Sequence, residues 1–213
     1  MEIISHRGYW KQAAEKNSMA AFVSSFESGF GTETDIRDFD GKLVISHDMP
    51  TVESPLVQDF FSAFNKHSKG AGYQLALNIK SDGLQKPLLD LLEAYRIENY
   101  FVFDMSVPDL KASIQNGLNV YSRLSEFESD LPFYQNVKGI WLDAFENTWY
   151  DSNIIRQHLD AGKKICIVSA ELHKRDHIGH WKLLKKIGAD SWGADILLCT
   201  DFPELAKSFF DHE

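Results

Sequence analysis

Two acidic side chains, Glu33 and Asp35, stand two positions apart in a strand-like run that ends at Arg37. Because strand side chains alternate between faces, these three residues should share one face of a sheet. Neighbouring carboxylates on a buried face repel each other unless a proton, a basic side chain or a cation neutralises them. Arg37 would neutralise one of them, whereas a hard divalent ion such as Mg²⁺ or Ca²⁺ would neutralise both.

Two histidines, His6 and His47, each follow a short apolar run near the start of the chain. Histidine is the side chain best suited to exchange a proton near neutral pH. Two histidines beside a metal ion would supply a general acid and a general base. Either one alone is more typical of a capped strand end or a packed core residue. Their combination with the acidic pair favours catalysis.

Two basic residues also follow strand-like runs and are candidates to bind phosphate. Lys80 ends the run 73–80, and its ammonium group would hold a phosphoryl oxygen as a point charge. Arg123 follows a run that ends at Ser122, and a guanidinium group binds phosphate through paired donors. For Arg123 the alternative is an internal ion pair with Glu126 or Glu171.

Several short motifs occur in a fixed order over about the first quarter of the chain. They are His6-Arg7-Gly8, Asn17-Ser18 with Ala21-Phe22, Glu33-x-Asp35, Asp40-Gly41 and His47-Asp48. In this order they resemble the motifs of glycerophosphodiester phosphodiesterases and of the related phosphatidylinositol-phospholipase-C-like phosphodiesterases. The rest of the chain agrees with that family mainly in its rhythm of strands and helices. Lys16, Asp38 and Asn78 replace the family's Glu before Asn, Thr before Asp-Gly and acid before Lys, so the resemblance implies a divergent member.

The resemblance implies a divalent metal cofactor and a set of ligands for it. Where the family has Glu-x-Lys, with the Glu as a third metal ligand, this chain has Asn78-Ile79-Lys80. Asn78 keeps a carbonyl oxygen but brings no charge. We therefore expect Glu33, Asp35 and Asn78 to hold Mg²⁺ or Ca²⁺.

The resemblance also implies the reaction, which is hydrolysis of a glycerophosphodiester-like or sugar-phosphate diester. His6 and His47 would take a proton from an attacking hydroxyl next to the ester and return one to the leaving alcohol. Arg7 and Lys80 would neutralise the charge that builds on the phosphoryl group. The expected partner is thus a small-molecule phosphodiester.

Two other functions fit the same residues. A non-catalytic barrel that binds a phosphorylated sugar would keep Arg7 and Lys80 but would turn over no diester. A barrel aldolase or isomerase would use Lys80 as an amine nucleophile, which borohydride trapping of an imine would reveal.

Eight strand-like runs alternate, mostly with helical segments, and polar residues follow nearly every run. This pattern predicts parallel strands with right-handed crossovers, and we expect a single-domain (β/α)8 TIM barrel over residues 1–213. A doubly wound sheet would fit the same rhythm, but eight units with polar ends favour the barrel, whose active sites lie at that rim. The segment 127–138 lacks a helical pattern and predicts that one outer helix is reduced or missing.

Composition limits the class of partner. A chain of 213 residues with 44% hydrophobic residues is long enough for one core. Its 22 basic and 31 acidic residues give a net charge of −9, which argues against nucleic acid or an anionic membrane as partner. Cys166 and Cys199 lie in apolar runs and should be reduced and buried. No apolar run approaches the ~20 residues of a membrane span and no signal peptide is evident, so we expect a cytoplasmic protein of undetermined oligomeric state.

Overall fold

A computed structural model of the protein describes residues 1–211. The strands are β1 Glu2–His6, β2 Gly31–Phe39, β3 Lys42–Ile45, β4 Leu75–Ile79, β5 Tyr100–Phe103, β6 Tyr121–Leu124, β7 Gly139–Leu142, β8 Lys164–Val168 and β9 Ile196–Thr200. The α-helices are α1 Met19–Glu27, α2 Val57–His67, α3 Gln85–Ala94, α4 Val107–Gln115, α5 Ser152–Asp160, α6 His177–Lys186 and α7 Pro203–Asp211. Short 3₁₀ helices occupy Ala13–Glu15, Ala170–His173 and Ala189–Asp195.

The strands form one sheet in the order β5-β4-β2-β1-β9-β8-β7-β6. The pairs β2–β4, β4–β5, β6–β7, β7–β8 and β8–β9 are parallel. A parallel bridge between Val102 in β5 and Val120, next to β6, links the two ends of this order. Strand β3 is a ninth strand that pairs antiparallel with β2. The predicted (β/α)8 TIM-barrel fold is confirmed.

The chain divides into two compact units. The N-terminal unit is Ser5–Val120, and the C-terminal unit is Met1–Ile4 together with the chain from Tyr121 onward. That all 213 residues act as a single domain remains a prediction.

In the N-terminal unit, aromatic side chains join α1 to α2. Phe22 meets Phe60 edge-on with ring centroids 4.7 Å apart, and Phe26 meets Phe64 in the same way at 5.1 Å. Helix α1 begins at a Ser18 cap, whose hydroxyl oxygen accepts the N–H of Ala21. The helical spacing of these phenylalanines therefore reflects the packing of α1 against α2. The two helices cover the β2 side of the sheet in this unit.

In the C-terminal unit, strands β7 and β9 are buried along their whole length. Trp181 of α6 is fully buried, and its indole N–H donates to the Ser169 hydroxyl at 2.8 Å. Within the described chain no α-helix lies between β6 and β7, which confirms the predicted loss of one outer helix.

Both cysteines, Cys166 and Cys199, are buried and free. This agrees with the prediction of reduced thiols. None of the helices within residues 1–211 combines the length and the apolar character needed to span a membrane.

Candidate active site

The loop between β1 and α1 supplies two of the polar groups. Arg7 and Asn17 both have left-handed backbone, with φ of 59° and 60°, which is uncommon for residues other than glycine. The N–H of Arg7 donates to the Glu33 carbonyl oxygen at 3.0 Å, and the N–H of Asn17 donates to the Arg7 carbonyl oxygen at 3.0 Å. These bonds fix both side chains beside β2.

Asp35 of β2 is fully buried and lies at the centre of a polar cluster. Its Oδ2 is 3.0 Å from Nε of Arg7 and accepts the side-chain amide of Asn17 at 2.8 Å. Its Oδ1 is 3.5 Å from Nζ of Lys80. A buried carboxylate is stable only when opposite charge and hydrogen bonds compensate its lost hydration. Arg7, Lys80 and Asn17 provide that compensation.

Glu33 is the second acid and is 2% exposed. Its Oε2 accepts the backbone N–H of Arg7 at 3.3 Å. Burial and the negative charge of Asp35 raise the pKa of Glu33 to about 8, although Arg7 and Lys80 act in the opposite direction. At neutral pH, the Glu33 carboxyl group therefore holds a proton unless a bound cation displaces that proton.

Asn78 of β4 completes a set of three oxygen-bearing side chains. It lies opposite Asp35 in the parallel register of β2 and β4, so the two side chains share a face. Within the described chain, Oδ1 of Asn78 is buried without a hydrogen-bond partner, and Oδ1 of Asp35 is buried with Lys80 as its ion-pair partner at 3.5 Å. Buried acceptors without partners are uncommon and call for a donor or a cation.

The donor set of Glu33, Asp35 and Asn78 is chemically suited to a hard divalent ion, which takes carboxylate and carbonyl oxygens. It contains two acids and one amide. Across the described part of the chain, no group of three His, Cys, Asp or Glu side chains has the arrangement of a metal site. The fit therefore depends on Asn78 as the third ligand.

His6 lies in this cluster at the end of β1. Its Nε2 is 3.9 Å from Oε2 of Glu33, and the ring is 13% exposed. The indole N–H of Trp10 donates to the His6 carbonyl oxygen at 3.0 Å. This bond ties the backbone at the end of β1 to the loop that follows.

His47 follows β3, and its backbone lies near the end of β2. The N–H of the preceding Ser46 donates to the Asp35 carbonyl oxygen at 3.1 Å, and Arg37 donates to the His47 carbonyl oxygen at 3.2 Å. The imidazole, however, is 45% exposed and lies with Nδ1 2.9 Å from the carboxylate of Asp48. His6 is thus packed into the cluster, whereas the His47 ring faces an exposed partner.

Two arginines predicted from the sequence have other partners. Arg37 shares the face of the two acids but, within residues 1–211, forms an ion pair with neither of them. Arg123 of β6 lies in the C-terminal unit and forms an ion pair with Glu128. The internal ion pair considered for Arg123 from the sequence is thus present with Glu128, and the phosphate-binding role of Arg123 remains a prediction.

Sequence reasoning did not assign two residues that the structure places in the cluster. Asn17 holds Asp35 and also accepts the Thr34 hydroxyl at 2.9 Å. Asp104 follows β5 and lies 3.4 Å from Nζ of Lys80. The signal for Asn17 was its place in the Asn-Ser motif, and the signal for Asp104 was a polar residue directly after a strand.

Comparison with solved structures gives full-length matches to this fold. A protein from Galdieria sulphuraria assigned as a glycerophosphodiester phosphodiesterase matches with a TM-score of 0.78 at 16% identity, over 99% of this chain and 98% of that one. A glycerophosphodiester phosphodiesterase from Parabacteroides distasonis matches with a TM-score of 0.70 at 16% identity, over 99% and 96%. The family resemblance predicted from the sequence is confirmed at the level of the fold.

Other barrel enzymes match less well, including a mutant tryptophan synthase α-subunit from Pyrococcus furiosus with a TM-score of 0.57 at 14% identity, over 99% and 96% of the two chains. No protein-family model matches the sequence, and no curated protein matches it either. The likeness therefore establishes the fold, and the activity has to be argued from the site.

Proposed function

We propose that this protein is a metal-assisted phosphoric diester hydrolase that acts on a glycerophosphodiester-like or sugar-phosphate diester. The observation that supports this most is the cluster around Asp35, where Arg7 and Lys80 lie beside the oxygen set of Glu33 and Asn78. Fixed positive charge and oxygen ligands for a metal ion are two features that accelerate phosphodiester hydrolysis. The likeness to two solved phosphodiesterase structures agrees with it.

Arg7 and Lys80 are proposed to bind the phosphoryl group. Their side chains are 20% and 18% exposed, so each is anchored on Asp35 while part of it reaches solvent. An anionic substrate would share these cations with the buried carboxylate. Because the cations are fixed before the substrate arrives, they can stabilise developing charge without reorganisation.

Glu33, Asp35 and Asn78 are proposed to hold a divalent ion, Mg²⁺ or Ca²⁺. When bound, such an ion would supply positive charge that polarises a non-bridging phosphate oxygen. Glu33 would release its proton on binding, because only the carboxylate form is a ligand.

His6 and His47 are proposed to move protons. His6 is oriented by Glu33 and by its anchored backbone, and its Nε2 would exchange a proton with the hydroxyl group or the leaving alcohol. His47 would carry out the complementary transfer from its more exposed position.

The position of Lys80 favours phosphate binding over amine catalysis. Its ammonium lies 3.5 Å from Asp35 and 3.4 Å from Asp104. Ion pairs with two carboxylates hold Nζ in place as a point charge, whereas an amine nucleophile must be free to attack a carbonyl carbon. The arrangement thus argues against an aldolase that uses Lys80.

The decisive experiment is a screen of phosphodiesters in Mg²⁺, Ca²⁺ and Mn²⁺ with the wild type, His6→Ala and a control, His67→Ala. His67 is a histidine of the same unit that pairs with Glu27, outside the cluster. We expect His6→Ala to lower kcat about 100-fold or more and His67→Ala to have little effect.

Unchanged turnover in His6→Ala would remove His6 from the mechanism. A wild type that turns over no diester with any of the three metals would contradict the proposed activity. Calorimetric titration with a sugar phosphate would then test the non-catalytic alternative, in which Arg7 and Lys80 only bind.

A further inference from the structure

Arg37 lies two residues beyond Asp35 on β2, just past the pairing of Ile36 with Ile79 of β4. Here β2 pairs antiparallel with β3, and Arg37 lies opposite Val44. Strand alternation puts the Arg37 side chain on the face of Asp35, and the rise of a strand puts its Cα about 6.6 Å further along. Arg37 is therefore the next residue on this face after the acid that holds Arg7 and Lys80.

The guanidinium group of Arg37 has one hydrogen-bond acceptor among the described residues, the His47 carbonyl oxygen. Its Nε and Nη2 donate to this oxygen at 3.4 and 3.2 Å. A guanidinium group has five N–H donors, so several are not directed at this oxygen. Because Arg37 is only half-buried, these remaining donors are within reach of a ligand from solvent.

The acidic residues close to Arg37 in the sequence have other partners. Asp38 has its side chain on the opposite face of β2, and its Oδ1 accepts the Ser81 hydroxyl at 2.8 Å. Asp48 has its Oδ1 2.9 Å from Nδ1 of His47. Within residues 1–211, no carboxylate forms an ion pair with Arg37.

Arg37 thus differs from the two cations of the polar cluster. Arg7 and Lys80 are held by the carboxylate of Asp35, so part of their charge is already compensated. Arg37 is held by a neutral carbonyl oxygen and keeps its full positive charge. A guanidinium group binds a carboxylate or a phosphate through paired donors.

We propose that Arg37 binds a second anionic group of the substrate, a carboxylate or a phosphate carried next to the diester on which the enzyme acts. The inference rests on the proposed phosphodiesterase function and narrows its substrate class to diesters with a further negative charge. Every residue that it uses belongs to the N-terminal unit.

The test is isothermal titration of the full-length protein in Mg²⁺ with two pairs of ligands. Glycerol 3-phosphate and 3-phosphoglycerate differ by a carboxylate, whereas fructose 6-phosphate and fructose 1,6-bisphosphate differ by a second phosphate. We expect the ligand with the second anionic group to bind at least tenfold more tightly in at least one pair. The pair that shows the difference identifies the anionic group.

Arg37→Gln keeps a donor for the His47 carbonyl oxygen but removes the charge. It should reduce the tenfold difference to less than about threefold, with little change in the affinity for the ligand that has one phosphate alone. Arg96→Gln is the matched control, because Arg96 is an exposed arginine of the same unit between α3 and β5, and it should leave both affinities unchanged. Circular dichroism would check that both variants fold.

Equal affinities within both pairs, an unchanged difference in Arg37→Gln, or the same fall in Arg96→Gln would each overturn the inference. Equal weakening of both ligands in Arg37→Gln would also overturn it, because Arg37 would then act on the first phosphate or on the fold. These outcomes concern binding and do not depend on turnover in the diester screen. If none of the four ligands binds, this inference and the phosphate role of Arg7 and Lys80 are both wrong.

Discussion

Asp35 is surrounded by Arg7, Lys80 and Asn17, and each of them would lose one of its partners if the carboxylate were removed. Asp35→Asn should therefore destabilise the protein by about 3 kcal/mol, because a buried ion pair that loses one member leaves an uncompensated charge. Urea unfolding in the presence of a chelator measures this loss.

The control is Asp104→Asn, which removes the more exposed partner of Lys80 and should cost less than about 1 kcal/mol. Equal losses in the two variants would contradict the central position of Asp35.

Asn78 offers a direct test of the metal set. Asn78→Glu would place a third carboxylate beside Asp35, and we expect it to raise the affinity for Mg²⁺ or Ca²⁺ at least tenfold in a calorimetric titration. Asn78→Ala should lower the affinity, because it removes the only ligand oxygen on that strand. If neither variant changes metal affinity, Asn78 is not a ligand.

Part of this cluster could be predicted from residue types and spacing. Strand alternation placed Glu33 and Asp35 on one face, and the register with β4 adds Asn78 to it. Strand alternation also placed Arg37 on the face of the two acids, but alternation does not say whether the Arg37 side chain reaches either carboxylate. Arg7 pairs with Asp35 instead, because the left-handed backbone at Arg7 and Asn17 folds the loop back onto β2, and hydrophobic periodicity does not encode such geometry.

At the scale of elements, the loop between β1 and α1 depends on Gly8. Its φ is 86°, and a Cβ at this position would lie 2.8 Å from backbone and side-chain atoms of Ala21. Gly8→Ala should therefore push the loop away from α1, cost about 2–3 kcal/mol and displace Arg7, with a loss of phosphate affinity. Urea unfolding and titration with inorganic phosphate would measure the two effects.

Gly41 supplies the matched control for that variant. Its φ is 73°, but a Cβ there would meet no atom within 4 Å. Gly41→Ala should cost only the backbone strain, about 1 kcal/mol, and should leave phosphate binding unchanged. Equal effects of the two substitutions would mean that the close contact with Ala21 does not position the loop.

The sequence predicted the order of strands and helices more completely than it predicted how they pack. Strand-like runs that alternate with helical segments predicted the eight parallel strands. The lack of a helical pattern in 127–138 predicted the missing outer helix. It did not predict the cavity lined by Leu131 and Trp149, because that depends on how far the loop collapses against α5.

At the scale of the whole molecule, the fold is shared with solved phosphodiesterases at 16% identity. This is possible because a barrel requires only apolar strands, polar ends and crossovers of suitable length, which many sequences satisfy. The division into two compact units was not foreseen, because composition and hydrophobic pattern are uniform along the chain. The polar cluster around Asp35 lies in the N-terminal unit, and the cavity lined by Leu131 and Trp149 lies in the C-terminal unit.

The stability of the whole molecule should depend on pH through His180 of α6. This residue is 5% exposed, its Nε2 lies 2.8 Å from the Tyr150 hydroxyl, and burial with the nearby charge of Arg175 lowers its pKa to about 4. The unfolded chain binds a proton at this position near pH 6.5, whereas the folded protein does not. The contribution of His180 to the free energy of unfolding is therefore complete above pH 6.5, and about 3 kcal/mol of it is lost as the pH falls towards 4.

His180→Gln keeps a partner for Tyr150 but does not titrate. It should remove most of this fall in stability, measured by urea unfolding between pH 7 and 4. His67→Gln, a change at a more exposed histidine, should retain it, and a wild-type pH profile in His180→Gln would show that another group is responsible.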